Sequence, residues 1–217
     1  MQMKLEELNN IYASLSPQER IAGLMNDFEH ILFTSSFGST SAYLIHLVHE
    51  VNPKQKIFFL DTTYHFPETL SYKDKLIRQL NLIVANLKGD ELRNKFTRSD
   101  ETWKKDADLC CSINKVEPLE NIKPNFQVWI SGLMRSQTEH RSNLDIFEEQ
   151  NGILKFYPII DKTELDAEKY ILKNNLPVHP LKLQGYNSIG CTHCTTKGKS
   201  REGRWINKSK TECGLHL

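Results

Sequence analysis

The stretch from Ile31 to Val51 constrains the fold of this chain more than any other. Ile31-Leu32-Phe33 is a short apolar run suited to a buried strand, and it leads into a polar loop, Thr34-Ser35-Ser36-Phe37-Gly38-Ser39-Thr40-Ser41. Leu44, Leu47, Val48 and Val51 then fall at i, i+3, i+4 and i+7, which is one face of a helix. The unit is strand, polar loop, helix. A second strand is expected over 56–60 with Asp61-Thr62 at its carboxyl end, then a proline-led helix from Pro67 to about Leu80 and a third strand over 82–85. Upstream, Ser16-Pro17-Gln18-Glu19 reads as a capping box opening a helix that runs to about Phe28. Strands alternating with helices of this length predict an α/β fold with a parallel, Rossmann-like sheet and right-handed crossovers. Ligands on such sheets sit outside the carboxyl ends of the strands. The polar stretch 88–105 reads as a mobile linker or lid. From Gln184 the chain is rich in Gly, Lys, Ser and Thr, as an extension laid over the domain would be. The expected organisation is one domain, with an α/β core over 1–185 and a flexible, cysteine-containing segment over 186–217.

Composition narrows the function classes. With 217 residues, 39% of them hydrophobic, the chain can bury a sizeable core. No apolar run approaches the roughly 20 residues needed to cross a bilayer, and residues 1–10 lack the apolar segment of a signal peptide. A cytoplasmic protein is expected, without a membrane partner. The formal charge of +1 gives no whole-protein argument for nucleic acid. In a reducing compartment structural disulfides are rare, so clustered thiols read as metal ligands or redox groups.

Five cysteines divide into two tight pairs, Cys110-Cys111 and Cys191-x-x-Cys194, and a solitary Cys213 near the end. The pairs suit a structural zinc site. Two adjacent cysteines tend to diverge, however, and a four-iron cubane offers each thiolate its own iron corner. Four buried reduced thiols without metal are the bland alternative. The Ser35-to-Ser41 loop has hydroxyls, a glycine and helix-start amides that can hold a phosphate or sulfate group; the plain alternative is a capped helix start. From Lys197 to Cys213 six basic residues (Lys197, Lys199, Arg201, Arg204, Lys208, Lys210) face two acidic ones (Glu202, Glu212). That run is either a solvated surface or an anion site.

Taken together these motifs resemble a known family. The Ser35-to-Ser41 loop is similar to the modified phosphate loop of the adenine-nucleotide α-hydrolase-like enzymes, and Asp61-Thr62-Thr63-Tyr64-His65-Phe66-Pro67-Glu68-Thr69 is similar to the Asp-Thr-x-x-x-Phe-Pro-Glu-Thr segment of the sulfonucleotide reductases. Cys110-Cys111-Ser112-Ile113-Asn114-Lys115-Val116-Glu117-Pro118-Leu119 resembles Cys-Cys-x-x-x-Lys-x-x-Pro-Leu, Gly190-Cys191-Thr192-His193-Cys194-Thr195 resembles Gly-Cys-x-x-Cys-Thr, and Glu212-Cys213-Gly214-Leu215-His216 resembles the catalytic signature. The chain thus resembles the assimilatory adenylyl-sulfate reductases over roughly residues 30 to 217. Two departures stand out. Gly132-Leu133-Met134-Arg135-Ser136-Gln137 has one arginine where Gly-x-Arg-Arg-x-Gln has two, and Ser39-Thr40-Ser41 stands where an acidic pair is frequent.

The resemblance implies a [4Fe-4S] cluster on Cys110, Cys111, Cys191 and Cys194, and Cys213 as the nucleophile that attacks the sulfate sulfur to release AMP. Ser35, Ser36, Gly38, Ser39, Asp61, Lys115, Arg135, Arg141, Arg201, Arg204 and His216 are the implied substrate contacts. Adenylyl sulfate is the favoured substrate over its 3′-phosphorylated form, because the branch acting on the latter lacks the paired cysteines. Thioredoxin or glutaredoxin is the implied reductant, since no sixth cysteine remains to resolve an S-sulfonate on Cys213. Gly198, Gly203 and Gly214 read as hinges for the tail, and a homo-oligomer is left open. An ATP-pyrophosphatase-type adenylating enzyme would share the loop but leaves Glu-Cys-Gly-Leu-His unexplained. A zinc-stabilised nucleic-acid module would explain the cysteines and the basic tail but not the nucleotide motifs.

Overall fold

The computed structural model describes residues 5–199, 201–206, 210, 212 and 214–215. Helix α1 (Leu5–Ala13) is followed by α2 (Pro17–Asp27), which opens with the expected capping box: Ser16 Oγ accepts from the Glu19 amide and Glu19 returns the bond to Ser16 N. The alternating core follows as β1 (Ile31–Ser35), α3 (Ser41–Val51), β2 (Ile57–Leu60), α4 (Pro67–Leu80) and β3 (Val84–Leu87). Strand β3 lies two residues later than the apolar pattern suggests. Asn81 ends α4 in the left-handed conformation (φ 51°), and the chain turns through Leu82 and the exposed Ile83 before pairing begins.

The stretch read as a mobile linker is folded. Asp90 accepts from the Arg93 amide at 2.9 Å and starts α5 (Glu91–Ser99), and α6 (Thr102–Lys105) and α7 (Ala107–Cys111) follow directly. Thr97, Thr102 and Trp103 are buried, so a polar sequence still supplies one inward edge. A wide π turn, Ser112–Val116, leads into α8 (Glu117–Ile122). Then come β4 (Val128–Ile130), the short α9 (Glu139–Ser142), β5 (Phe147–Gln150), β6 (Ile153–Phe156) and α10 (Glu164–Lys173).

The six strands form one sheet in the order β3-β2-β1-β4-β6-β5, parallel except for β5, which pairs antiparallel with β6. The main core takes alternate strand residues, Phe33, Ile57, Phe59, Val128, Ile130 and Phe156, against Leu24 of α2, Leu44, Leu47 and Val48 of α3 and Ile171 of α10. The intervening residues Leu32, Leu60, Trp129 and Ile153 face the other side and meet Leu119 of α8 and Leu215 of the tail. Chain order runs from β1 outward to β3, then returns to place β4 on the opposite side of β1. That reversal opens a crevice at the carboxyl ends of β1 and β4.

Candidate functional site

A cleft of about 220 Å³ fills this crevice. Its floor is the loop after β1, whose Ser35, Ser36, Gly38 and Ser39 all line it, together with Ser131 and Gly132 after β4. Ser35 Oγ accepts from the Phe37 amide, and Phe37 adopts φ 50°, which turns the loop sharply. Thr40, at the N-cap of α3, makes no side-chain cap, so a capped helix start is not what this loop provides. Two of its hydroxyls are committed: Ser39 donates to the Asn187 carbonyl at 2.7 Å, which ties the tail segment to the loop, and Ser41 donates to Gly38 O.

The opposite wall is cationic. Lys115, Arg141, Arg201 and Arg204 line the cleft beside Trp205. Arg204 Nε donates to the Cys194 carbonyl, and its guanidinium lies against Gly190, where an added Cβ would sit 2.4–2.6 Å from it. The glycine of the Gly-Cys-x-x-Cys-Thr motif therefore makes room for this arginine, and Thr195 closes the loop by accepting from Gly190 N. Trp205, at φ 50°, has the Arg204 guanidinium 4.4 Å from its ring centroid. Gly198 and Gly203 lie at close approaches: a Cβ on Gly203 would meet Thr196 O at 2.4 Å, and one on Gly198 would meet Gly203 N at 3.0 Å.

Two expected contacts lie elsewhere. Asp61 accepts from Thr63 N and pairs with Lys88 at 3.4 Å, outside the lining of the cleft. Arg135 donates to Leu144 O and lies 3.5 Å from Asp145, because Met134 before it is fully buried in the core and turns the arginine outward. Gln137, two residues on, lines the cleft instead and accepts from Arg141 Nη1. Cys213 and His216 lie outside the described residues.

Sequence reading missed two residues with a direct bearing on ligands, His65 and Trp205. His65, Arg141 and Trp205 each line the cleft with a buried nitrogen (Nδ1, Nε and Nε1) that has no hydrogen-bond partner among the described residues. Of these, the sequence motifs point to Arg141 as an anion contact but not to His65 or Trp205. His65 Nε2 lies 2.9 Å from Leu60 O and donates to it, so Nδ1 is left as an acceptor, and burial lowers the ring's pKa. Unpaired buried polar atoms are costly, and three around one cleft mark a surface shaped for a polar ligand. The only available signal for His65 was its position inside the Asp-Thr-x-x-x-Phe-Pro-Glu-Thr segment.

The cysteine pairs meet in a second, tighter cavity. Cys110 and Cys111 of α7 and Cys191 and Cys194 of the tail line it with Tyr64, Trp103, Asn114, Lys115 and His193. The Trp103 and His193 rings stack at 4.0 Å and 9°, and Tyr64 meets both edge-on. All four thiols are free of disulfides. Burial and the three neighbouring thiols push Cys110 up to about 12, and burial also raises Cys194. Cys191 goes the other way: burial raises it, but Lys115 and a 3.3 Å hydrogen bond with Thr62 Oγ1 outweigh that and lower its pKa. The π turn makes these contacts possible. It brings Asn114 back over α7, where Nδ2 donates to Cys110 O at 2.9 Å and lies 3.7 Å from Cys110 Sγ. Gly89 accommodates the bulge, since a Cβ there would stand 2.5 Å from Ile113 O. Among the described residues no three His, Cys, Asp or Glu side chains are placed to hold a single metal ion. Lys115 and Cys191 line both cavities, so the thiol pocket and the cationic cleft share a wall.

The chain is similar to known proteins over most of its length. Residues 30–197 match the phosphoadenosine phosphosulfate reductase domain. The chain is 37% identical to the adenosine 5′-phosphosulfate reductase of Chelativorans sp. (strain BNC1), over 97% of this chain and 90% of that one, and 39% identical to the protein of the same name from Bacillus cereus (strain 03BB102), over 86% and 83%. Among solved structures, the phosphoadenylyl-sulfate reductase of Candida auris in its phosphate complex superposes with a TM-score of 0.77 at 26% identity, covering 90% of this chain and 99% of that one. FMN adenylyltransferase of Candida glabrata shares the fold alone, at 14% identity over 88% of this chain and 72% of that one, with a TM-score of 0.59. No helix among the described residues is long and apolar enough to cross a membrane. The sheet order, the phosphate-type loop after β1 and the extent of these matches agree: the chain belongs to the phosphoadenosine phosphosulfate reductase family, on the adenine-nucleotide α-hydrolase-like fold.

Proposed function

We propose that this protein reduces adenylyl sulfate to sulfite and AMP in the cytoplasm, as part of sulfate assimilation, using electrons from thioredoxin or glutaredoxin. The observation that carries the reading is the shared wall: a nucleotide cleft lined by Arg141, Arg201 and Arg204 abuts a four-thiol pocket through Lys115 and Cys191. The two bacterial relatives are named adenosine 5′-phosphosulfate reductases, and they support the choice of the unphosphorylated nucleotide, whereas the Candida auris structure is that of a phosphoadenylyl-sulfate reductase.

The thiol pocket suits a [4Fe-4S] cluster held by Cys110, Cys111, Cys191 and Cys194. Three buried thiols and a half-buried one meet here, and burial and the neighbouring thiols raise Cys110 and Cys194, so a cationic centre would favour their thiolates; thiols that line one cavity without converging on one point would suit a cluster that takes each thiolate separately. When bound, such a cluster supplies a fixed charge beside Lys115. The protein's own residues do the rest. The phosphate-type loop and the arginines bind and orient a polyanion, which offsets its repulsion of an approaching thiolate. The Cys213 thiolate attacks the sulfate sulfur, the bond from that sulfur to the phosphate oxygen breaks, and AMP leaves carrying the electron pair. A thiolate of the external dithiol then attacks Cys213 Sγ and expels sulfite; its second thiol resolves the mixed disulfide, so the dithiol supplies both electrons and returns Cys213 reduced.

The test is sulfite and AMP release from adenylyl sulfate and from its 3′-phosphorylated form, with thioredoxin, on anaerobically purified protein of measured iron and sulfide content. Faster turnover of adenylyl sulfate by iron-loaded protein is expected. Preference for the 3′-phosphorylated form would reassign the substrate, and AMP formation from ATP without sulfite would replace the reading with an adenylating enzyme.

A further inference from the structure

Two attachments of the tail lie on either side of position 213 in sequence. On one side Glu212 is buried with its side chain 0% exposed. Its Oε2 accepts from Arg141 Nη2 at 2.7 Å and from Arg201 Nη2 at 3.1 Å, and its Oε1 accepts from Thr138 at 2.9 Å. Burial pushes the carboxyl up, yet Arg141 and Arg201 outweigh it and hold it below the usual range. On the other side Leu215 packs against Leu32, Leu60, Leu119, Trp129 and Ile153, and its carbonyl accepts from Lys155 Nζ at 3.2 Å. Lys155 is itself buried on β6, with its ammonium 5.1 Å from the Trp129 ring centroid.

A buried carboxylate between two guanidiniums is a poor source of stability, because desolvation consumes most of the attraction; its use lies in fixing geometry. Here it fixes two things at once. Arg141 and Arg201 line the nucleotide cleft, and one carboxylate against two guanidiniums leaves that wall with a net positive charge for an anion. Arg141 Nη1 donates to Gln137 and Nη2 to Glu212, while the buried Nε has no partner among the described residues and is open to a ligand.

We propose that Glu212 is a positioning residue that joins the tail to the anion-binding arginines, so that seating the tail and setting Arg141 and Arg201 for the substrate are one event, with Lys155 and the Leu215 socket as the second anchor. The proposal rests on the reading of Arg141 and Arg201 as substrate contacts and of Cys213 as the nucleophile, and it assigns Glu212 a part in both.

The test uses the full chain as Glu212→Gln, Glu212→Asp and Lys155→Met, with two readouts. The first, free of substrate, is the rate of Cys213 alkylation by iodoacetamide, followed by mass spectrometry of its peptide. Loss of either anchor is expected to raise that rate by about tenfold or more, since removing one partner of a buried pair strands the others. The second is AMP affinity: Glu212→Gln is expected to weaken it by about tenfold, Lys155→Met by less than about half that, and Glu212→Asp to restore part of the loss. A folded Glu212→Gln variant with unchanged alkylation and unchanged AMP affinity would overturn the proposal, as would a Lys155→Met variant that loses as much AMP affinity as Glu212→Gln. If Glu212→Gln fails to fold, Glu212→Asp and Lys155→Met decide by the same readouts. Should the wild type release no sulfite from any sulfonucleotide, the functional reading fails while the alkylation rates still report on the clasp.

Discussion

The α/β core and the tail from residue 186 are held together by different physics. The core buries alternate strand residues against helical stripes, and most of its contacts are apolar and extended over whole elements. The described tail has no helix longer than a single 3-10 turn and no strand; it is attached by isolated bridges (His65 with Cys191, Tyr186 with Gly198, Thr195 with Arg204), by single hydrogen bonds such as Ser39 to Asn187, and by the buried charges of Glu212 and Lys155. A core of that kind tolerates conservative repacking, while point attachments fail one at a time. Changes in the tail should therefore remove metal or activity and spare the fold, and changes in the core should do the reverse.

The largest expected effect is on the tail's share of the thiol pocket. On the proposed cluster assignment, Cys194→Ser should abolish bound iron and sulfide while the far-ultraviolet spectrum of the core stays near that of the wild type. Full iron and sulfide in that variant would remove Cys194 from the ligand set. Next, Arg201→Ala removes a guanidinium that both meets Glu212 and lines the cleft. A drop of about 10²- to 10³-fold in kcat/KM is expected, with little movement of the thermal midpoint; steady-state rates and a melting curve on one preparation check both halves.

The same contrast decides what could be read from the sequence. The strand-loop-helix unit was legible because Leu44, Leu47 and Val48 repeat at the helical period and are all buried, and α2 because its capping box is local. The cysteine pairs were legible as a group because their spacing is a sequence property. Strand β5 was not, since Phe147-Glu148-Glu149-Gln150 carries one apolar residue and is fixed by its antiparallel partner β6. Helix α5 escaped because only Thr97 of it is fully buried, and its start signal, Asp90, is a single cap. In the tail no period exists to read. That Glu212 meets Arg141, 71 residues earlier, and that Gly190 makes room for Arg204, are facts of close approach, visible only once the chain is folded. Arg135 was misplaced for a related reason: in Met134-Arg135 the buried methionine decides which way the arginine faces.

A pH experiment addresses the core half of the comparison. His179 is fully buried between Thr69 and Tyr72, and its Nδ1 accepts from Leu181 N, so burial depresses its pKa from 6.5 to about 4. Below pH 6.5 the unfolded chain takes up a proton that the folded chain refuses until about pH 4. Stability is thus fully present above 6.5 and is lost as pH falls across that window, at up to about 1.4 kcal/mol per pH unit and about 3 kcal/mol in all. Denaturant titrations at several pH values should show this slope in the wild type and a flatter one in His179→Gln, whose stability at pH 8 is lower. Equal slopes in the two proteins would mean that other groups govern acid sensitivity.

The smallest expected effect is the sharpest test of point attachment. Gly190→Ala adds one methyl group, and the atoms it would meet belong to the Arg204 guanidinium, the far end of a flexible side chain rather than backbone. The arginine can swing away at little energetic cost, so the fold should not register the change, and the thermal midpoint should stay within about 2 °C of the wild type. The cleft should register it, because Arg204 would leave both the Cys194 carbonyl and the face of Trp205. A loss of about tenfold in kcat/KM, corresponding to ~1.4 kcal/mol, is expected. Iron content should be unchanged, since Cys191 and Cys194 keep their turn through Cys194 N to Cys191 O. If the methyl group instead lowers stability and leaves the rate alone, the segment around Gly190 is packed as core, and the division between an apolar core and a point-attached tail would have to begin later in the chain.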